Sequence, residues 1–200
     1  MSKLSFRQGA MGSSKSASAM ICVYNYRERG MTALLLKPEC EDRDGKMSVK
    51  SRIGLEMEAD DTVEHFLKKI KADGEGIKHI DAIVVDEAQF LSPETVDGLS
   101  DIVDFYNIPV VCYGLRTDFQ AKAFPGSARL LEIADAIEEV PTICWCGHKA
   151  RFNARIVDGK VIKTGEQVQL GGSESYVALC RKHFKLGQLG PEETDPHLSS

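Results

Sequence analysis

The sequence predicts an α/β protein: a parallel sheet with helices on both faces, followed by a small β-rich region. Apolar segments of strand length alternate with helix-length segments as far as residue 143. Strands that are apolar throughout are typical of a parallel sheet that is buried on both faces. Beyond residue 143, cysteine, glycine and short alternating segments replace the helices.

The predicted elements follow one another with short connections. Leu4 and Phe6 alternate in a short strand that runs into Gly9, and residues 15–29 contain neither glycine nor proline before Gly30 ends a helix. The later elements are a strand at 31–37, a polar loop at 38–53, a helix at 60–73, a strand at 80–85, a helix at 93–106, a strand at 108–113, a helix at 128–137 and a strand at 138–143. We expect one unit over 1–142, a second over 143–187 and a mobile tail over 188–200.

Composition and charge exclude several classes of protein. The 200 residues are 42% hydrophobic and 28% charged, which is ordinary for a globular protein and excludes a disordered or fibrous chain. The net charge of −5 offers no basic surface for nucleic acid. No apolar run reaches the ~18 residues of a membrane span, and no signal peptide is visible, so we expect a cytoplasmic protein. The six cysteines are then reduced thiols, buried residues or metal ligands.

Residues 9–16 nearly match the phosphate-loop pattern G-x-x-x-x-G-K-[ST], between a predicted strand and a predicted helix. In such a loop the backbone N–H groups surround a phosphate, the lysine reaches the outer phosphates and the last hydroxyl binds Mg²⁺. Ser14 replaces the second glycine, and we expect it to have a negative, helical φ because serine is favourable at a helix start. The alternative is a serine-rich helix start with an unrelated lysine. The predicted ATP-binding residues here are Gly9, Ala10, Met11, Gly12, Ser13, Ser14, Lys15 and Ser16.

Two acids follow the apolar strand that ends at Val85. In phosphate-loop enzymes an aspartate at such a strand end helps to hold Mg²⁺, so Asp86 is a magnesium candidate together with Ser16. Glu87 is then placed near the γ-phosphate, where it can accept a proton from a nucleophile. The alternative is a pair of ordinary solvent-facing acids, which the loop upstream disfavours.

Two cysteine-containing pairs predict a zinc site in the β-rich region. Cys144 and Cys146 are followed, after 33 intervening residues, by Cys180 and His183. Three thiols and an imidazole suit tetrahedral Zn²⁺, and four protein ligands indicate a structural rather than a catalytic ion. The alternative is unrelated thiols and a surface histidine. The other three cysteines, at 22, 40 and 112, are interpreted as buried or incidental.

Taken together, these segments resemble the type II thymidine kinases, small cytoplasmic deoxynucleoside kinases of bacteria, animals and some large DNA viruses. The resemblance covers residues 3–187. Its Cys-x-Cys spacing is similar to that of the enterobacterial branch. The matching segments, in the family's order, are GAMGSSKS (9–16), VVDEAQF (84–90), CYGLRTDF (112–119), ICWCGHKA (143–150) and VQLGGSESYVALCRKHF (168–184).

The resemblance implies a role for each matching residue. Glu87 would take the proton from the thymidine 5′-hydroxyl, and Asp86, Glu87, Ala88 and Gln89 would belong to the ATP-binding stretch. Arg43 matches an arginine in a segment that is mobile in the family. The implied thymidine-binding residues are Phe90, Leu115, Phe119, Gln167, Val168, Gln169, Leu170, Gly171 and Tyr176, although the aromatic ones could also be plain core residues. A homotetramer inhibited by thymidine triphosphate (dTTP) is also implied.

Three hypotheses for function follow. The first is transfer of phosphate from ATP to thymidine, with Mg²⁺ and a structural Zn²⁺. The second is a phosphate-loop ATPase of helicase type with a zinc ribbon, which the short chain, the acidic charge and the missing second helicase-like domain disfavour. The third is a non-catalytic zinc-bearing binding protein, which only Ser14 makes conceivable. Whether ATP consumption requires thymidine or nucleic acid separates the first two.

Overall fold

The computed structural model describes residues 1–40, 47–73, 77, 79–165 and 175–191. Its helices are α1 (Lys15–Arg27), α2 (Val63–Asp73), α3 (Pro93–Tyr106), α4 (Pro125–Ile133) and α5 (Arg181–Leu186), with a short 3-10 helix at Ala88–Phe90. Its strands are β1 (Leu4–Gln8), β2 (Ala33–Lys37), β3 (Ser48–Lys50), β4 (Glu56–Glu58), β5 (Asp61–Thr62), β6 (Ala82–Val85), β7 (Val110–Gly114), β8 (Ala136–Glu139), β9 (Thr142–Ile143), β10 (Lys149–Ala150), β11 (Phe152–Val157), β12 (Lys160–Ile162) and β13 (Ser175–Leu179).

The main sheet is parallel and carries helices on both faces, which confirms the predicted architecture. Its strand order is β5-β2-β6-β7-β1-β8. Successive residues of each strand point to opposite faces, so Leu35 packs on the α1 side and Leu36 on the side of α2, α3 and α4. The central strand β6 is therefore apolar and buried along its whole length, whereas β1 carries Arg7 and Gln8 near its end.

The predicted helix at 128–137 and strand at 138–143 have the wrong bounds. The helix begins at Pro125 and ends at Ile133, and Ala134 is already extended. Residues 136–139 form the edge strand β8 beside β1, where the Leu4 N–H donates to the Asp135 carboxylate over 131 residues of chain. The apolar spacing of residues 134–137 suits a helix or a strand, and this distant pairing decides between them.

The predicted polar loop at 38–53 is also wrong in part. Residues 48–50 and 56–58 form an antiparallel hairpin, and its Val49 is buried against the core beneath α1. Arg43 lies outside the described residues.

The β-rich region is made of two small antiparallel sheets. One pairs β9 with β10, and the other places β11 between β12 and β13, with α5 packed beside it. Their shared core is small and consists of Cys144, Ala150, Ala154, Leu179 and Phe184. The region joins the main sheet where the Val140 N–H donates to the Gln8 carbonyl at 2.8 Å. The boundary after residue 142 stays a prediction, and most of the predicted tail, 192–200, lies outside the described residues.

Within the described ranges, every helix is too short or too polar to cross a lipid bilayer.

Candidate active site

The phosphate loop leaves the end of β1 and is closely packed from its first residue. The Gly9 N–H donates to the Gly114 carbonyl at the end of β7, at 3.2 Å. A Cβ atom on Gly9 would lie 2.5 Å from both the Val140 carbonyl oxygen and the Ser13 hydroxyl oxygen. Only glycine fits at this position, as the motif requires.

Lys15 is the first residue of α1 and its side chain is buried in the loop. Its ammonium group donates to the Ala10 carbonyl at 2.9 Å and to the Ser13 hydroxyl at 3.2 Å. Burial lowers the pKa of Lys15, while the negative charges of Glu87 and Asp86 act in the opposite direction. The loop therefore holds its cation on two of its own oxygen atoms, where it also interacts with the charges of Glu87 and Asp86.

The expected negative φ of Ser14 is wrong. Ser14 has a φ of 59° and a ψ of 28°, which is the left-handed conformation, and its side chain makes no capping hydrogen bond. Its carbonyl accepts bonds from the Ser18 N–H and hydroxyl, so the helix starts from a left-handed turn rather than from a serine cap. A glycine would adopt this conformation without strain, whereas serine carries a cost of about 1 kcal/mol or more.

Asp86 and Ser16 come together as the sequence predicts. Asp86 follows β6, is 3% exposed, and accepts a hydrogen bond from the Ser16 hydroxyl. Burial and the neighbouring charge of Glu87 raise the pKa of Asp86 to about 7. A carboxylate beside a hydroxyl at the start of the phosphate-loop helix is the oxygen donor set that suits Mg²⁺.

Glu87 is half-buried and has the left-handed conformation, with a φ of 51°. The side chain of Gln89 holds it: Gln89 Nε2 donates to Glu87 Oε2, and Gln89 Oε1 accepts the Leu115 N–H at 3.0 Å. A Cβ on Gly114 would lie 2.8 Å from Gln89 Oε1, so this glycine lets the two segments approach. Ala88 is fully buried between them.

The residues proposed for thymidine lie on the side of the site near β7 and β11. Phe90 is half-buried and packs edge-on against Phe124 at 5.7 Å between ring centres. Leu115 and Phe119 are buried, and the Arg155 guanidinium lies over the Phe119 ring at 5.0 Å. Tyr176 on β13 pairs in register with Arg155. The residues at 167–171 lie outside the described residues.

The four predicted zinc ligands form one cluster. Cys144 and Cys146 come from the β9–β10 turn, Cys180 follows β13, and His183 lies on α5. Their ligand atoms all lie within 4.8 Å of one another, with His183 Nδ1 at 3.5 Å from Cys144 Sγ and at 3.4 Å from Cys180 Sγ. In a regular tetrahedron two thiolates ~2.3 Å from zinc are roughly 3.8 Å apart. The spacing therefore fits Zn²⁺.

The surroundings of the cluster favour bound metal. Burial alone would raise the pKa of the Cys144 thiol, but hydrogen bonds from the backbone at Cys146 and Cys180 and from His183 outweigh it and lower the pKa to about 6. The Trp145 ring stacks on the His183 ring at 4.3 Å and fixes its orientation. The thiols outside the cluster differ: burial raises the pKa of Cys112 to about 12, and Cys22 is half-buried.

Three site residues were missed by the sequence reasoning: Arg52, Asn153 and Arg155. Arg52 lies in the turn between β3 and β4; burial is the main cause of the lowered pKa of Lys15, and the positive charge of Arg52 acts in the same direction. Asn153 and Arg155 are buried on β11, and Asn153 bonds to the phosphate loop. The only signal was two polar residues at alternate positions of a strand-like segment. That pattern does not say which surface they meet.

The parallel sheet, the loop after β1 and the acids after β6 define a nucleotide-binding α/β protein of the phosphate-loop class. The chain belongs to the thymidine kinase family, whose model matches residues 2–184.

Individual relatives match over nearly their whole length. The thymidine kinase of Shewanella oneidensis is 48% identical over 92% of this chain and 97% of its own. The thymidine kinase of Haemophilus influenzae is 47% identical over 94% of this chain and 100% of its own. The thymidine kinase of Enterobacteria phage T4 is 48% identical over 92% of this chain and 96% of its own. Among solved structures, a Pif1 helicase from Candida albicans has a TM-score of 0.41 at 14% identity, over 70% of this chain and 36% of its own. A likeness of that size does not support the helicase hypothesis.

Proposed function

We propose that this protein transfers the γ-phosphate of ATP to the 5′-hydroxyl of thymidine, giving thymidine monophosphate and ADP. The observation that carries the proposal is the meeting of Lys15, the Ser16–Asp86 pair and Glu87 at one end of the sheet, where only β7 separates β1 from β6. Membership of the thymidine kinase family indicates that the nucleoside substrate is thymidine.

The phosphate loop binds the triphosphate of ATP in this proposal. The backbone of residues 9–16 surrounds the phosphates, and the Lys15 ammonium, which donates to the Ala10 carbonyl and the Ser13 hydroxyl, has a third N–H for a phosphate oxygen. Ser16 and Asp86 would hold Mg²⁺, which supplies positive charge to the phosphate oxygens. Both groups already contact each other, so little rearrangement is needed.

Glu87 is the proposed proton acceptor. The 5′-oxygen of thymidine forms a bond to the γ-phosphorus while the bond from that phosphorus to the bridging oxygen breaks, and the hydroxyl proton moves to the Glu87 carboxylate. Gln89 fixes the other end of that carboxylate. One Glu87 oxygen thereby faces Gln89 and the other remains for the substrate.

The thymine base is proposed to bind among Phe90, Leu115, Phe119 and Tyr176, with the backbone of 167–171 reading its polar edge. Support comes from the path of the chain, since β13 pairs with β11 and brings Tyr176 beside the Arg155 that covers Phe119. A site that hydrogen-bonds the base edge would reject a base lacking the matching groups.

Structural Zn²⁺ on Cys144, Cys146, Cys180 and His183 is proposed to stabilise the β-rich region, which carries Tyr176. Cys144 belongs to the small core, Cys146 and Cys180 pack against it, and Cys180 directly follows the strand that carries Tyr176. Because the core of this region is small, metal binding supplies much of its folding free energy.

Several further features are proposed, the first from the change in the sequence after residue 143 and the others mainly from the family. They are a division into units 1–142 and 143–187, a role in supplying DNA precursors in the cytoplasm, inhibition by dTTP and assembly as a homotetramer. Light scattering of the purified chain with and without dTTP tests the assembly.

A coupled ATPase assay tests the function directly. The purified protein is supplied with Mg²⁺ and ATP, and thymidine, deoxyuridine, deoxycytidine or single-stranded DNA is added in separate reactions. We expect ADP release that depends on thymidine, with thymidine monophosphate formed in equal amount. ADP release that depends on DNA and not on thymidine would replace the proposal with the helicase-type ATPase.

A further inference from the structure

A buried amide side chain connects the phosphate loop to the segment around Thr117, beside the proposed thymine pocket. Asn153 on β11 is 2% exposed and belongs to neither the phosphate loop nor the carboxylate pair. Its Oδ1 accepts the Met11 N–H of the loop at 2.7 Å, and its Nδ2 donates to the Thr117 carbonyl at 2.9 Å. These partners are 142 and 36 residues away in the chain.

The bond to Met11 fixes one particular peptide group. The same peptide group joins Ala10 to Met11, and its carbonyl oxygen accepts from the Lys15 ammonium at 2.9 Å. Asn153 and Lys15 therefore hold the two ends of a single peptide plane. Rotation of that plane would release the Met11 N–H from Asn153 and turn the Ala10 oxygen away from Lys15.

The bond to Thr117 connects Asn153 to the segment that carries part of the proposed thymine pocket. Thr117 and Ala123 form a β-bridge, and the Asp118 carboxylate accepts from the Gln120 and Lys122 N–H groups, so this turn is stiff. Of the two buried residues proposed for the thymine pocket, Phe119 lies within this turn and Leu115 lies two residues before it. A movement of Asn153 would therefore shift the phosphate loop and this turn relative to each other.

We propose that Asn153 is a positioning residue that sets the ATP phosphates and the nucleoside at the distance that transfer requires; this rests on the proposed function. A carboxamide is suited to the position because it offers one acceptor and one donor without a charge. Alignment errors of about 1 Å can cost a hundredfold in rate, so the loss of this bridge should be visible at saturating substrates.

Asn153→Leu is the main test, since it keeps the number and branching of the side-chain heavy atoms and removes both bonds. We expect kcat per folded molecule to fall at least tenfold and KM to rise for both ATP and thymidine, because the bridge contacts both sides. Asn153→Ser, which keeps a small polar group, should lose less. Val161→Ala is the matched control: it weakens the packing of the same three-stranded sheet without touching the bridge, so its constants should stay within twofold of wild type.

Zinc content and thermal melting are recorded for every variant, so that a folding defect is seen separately. Equal kcat and KM values in Asn153→Leu and wild type would overturn the inference, as would a loss of stability or zinc with kcat per folded molecule unchanged. Wild-type protein that fails to phosphorylate thymidine would overturn the proposed function instead. The affinity for ATP alone then decides the inference, with at least a fivefold weakening expected in Asn153→Leu.

Discussion

Gln89 Nε2 donates a hydrogen bond to Glu87 Oε2, and this bond connects the proposed proton acceptor to the segment around Leu115, where thymidine is proposed to bind. The Gln89 side chain is 1% exposed, and its Oε1 accepts the Leu115 N–H at 3.0 Å. Because the oxygen end of the amide is fixed by a backbone donor, the nitrogen end has to face Glu87. The Glu87 carboxylate is thereby oriented by the same strand that positions Leu115.

Glu87→Gln should abolish turnover and leave thymidine binding largely intact. The variant keeps the shape of the side chain and removes only the proton acceptor, so we expect kcat to fall by about 10²–10⁴. Steady-state kinetics and calorimetric titration with thymidine measure the two effects. A near-normal kcat in this variant would mean that another group takes the proton.

Gln89→Leu should lower kcat by about tenfold to a hundredfold, with a smaller change in KM for ATP. It leaves Glu87 chemically unchanged but removes the donor that orients it, and it leaves the Leu115 N–H without its acceptor. Gln188→Leu, at a half-buried glutamine that follows α5, is the control for replacing a glutamine. If the kcat of Gln89→Leu matches that control, the orientation of Glu87 does not depend on Gln89.

The sequence predicts most accurately where the signals are local. The helix at 93–106 has the predicted bounds because Ser92 caps it, Pro93 opens it and Asn107 closes it in the left-handed conformation. The start of strand β8 was misplaced because its partner β1 lies far away in the chain, and spacing alone could not choose between helix and strand at 134–137.

The site residues also differ in whether local sequence signals reveal them. The loop, the acids and the four zinc ligands are recognisable from short spacings, and the structure brings each group together. Asn153 is not recognisable, because its importance comes from partners that lie 142 and 36 residues away. Ser14 was misjudged because the loop, not the helix that follows it, sets its backbone angles.

Asp86 should make the nucleotide-free protein less stable as the pH rises. Burial and Glu87 raise its pKa to about 7, whereas in an unfolded chain the group ionises near its ordinary value of 3.8. Between these values the folded protein holds a proton that the unfolded chain has released. The contribution of Asp86 to the free energy of unfolding is therefore greatest below pH 3.8. It falls by at most about 1.4 kcal/mol per pH unit between pH 3.8 and pH 7.

Urea unfolding of wild type and Asp86→Asn at pH 5, 6 and 7, without nucleotide or Mg²⁺, measures this effect. The free energy of unfolding of wild type should fall relative to the variant as the pH increases. Asp104→Asn, which replaces an exposed acid on α3, is the control and should keep the wild-type trend. Parallel pH trends in wild type and Asp86→Asn would contradict the raised pKa of Asp86.

Removal of the metal should impair nucleoside binding more than ATP binding. We expect one Zn²⁺ per chain, and Cys180→Ser should lose it and raise KM for thymidine more than KM for ATP, since Cys180 directly follows β13. Elemental analysis and kinetics provide the measurements. Cys22→Ala, a thiol on α1 outside the cluster, should retain the zinc. Folded, active wild-type protein without zinc would exclude a structural metal.

Ser14→Gly tests the strained position in the phosphate loop. Serine at a φ of 59° costs about 1 kcal/mol or more, and glycine removes that cost. Glycine also gains freedom in the unfolded chain, which offsets ~0.5–1 kcal/mol of the gain. We therefore expect the free energy of unfolding to rise by no more than about 1 kcal/mol.

The kinetic effect of Ser14→Gly should also be small. If the loop keeps its shape when ATP binds, the strain is present in both states and cancels, so kcat/KM for ATP should change by less than about tenfold, or roughly 1.4 kcal/mol. Ser14→Ala is the matched control, because it keeps the strained backbone and removes only the hydroxyl, and it should behave like wild type since that hydroxyl makes no capping bond. A gain well above tenfold in Ser14→Gly alone would show that serine holds the natural loop away from its phosphate-binding shape.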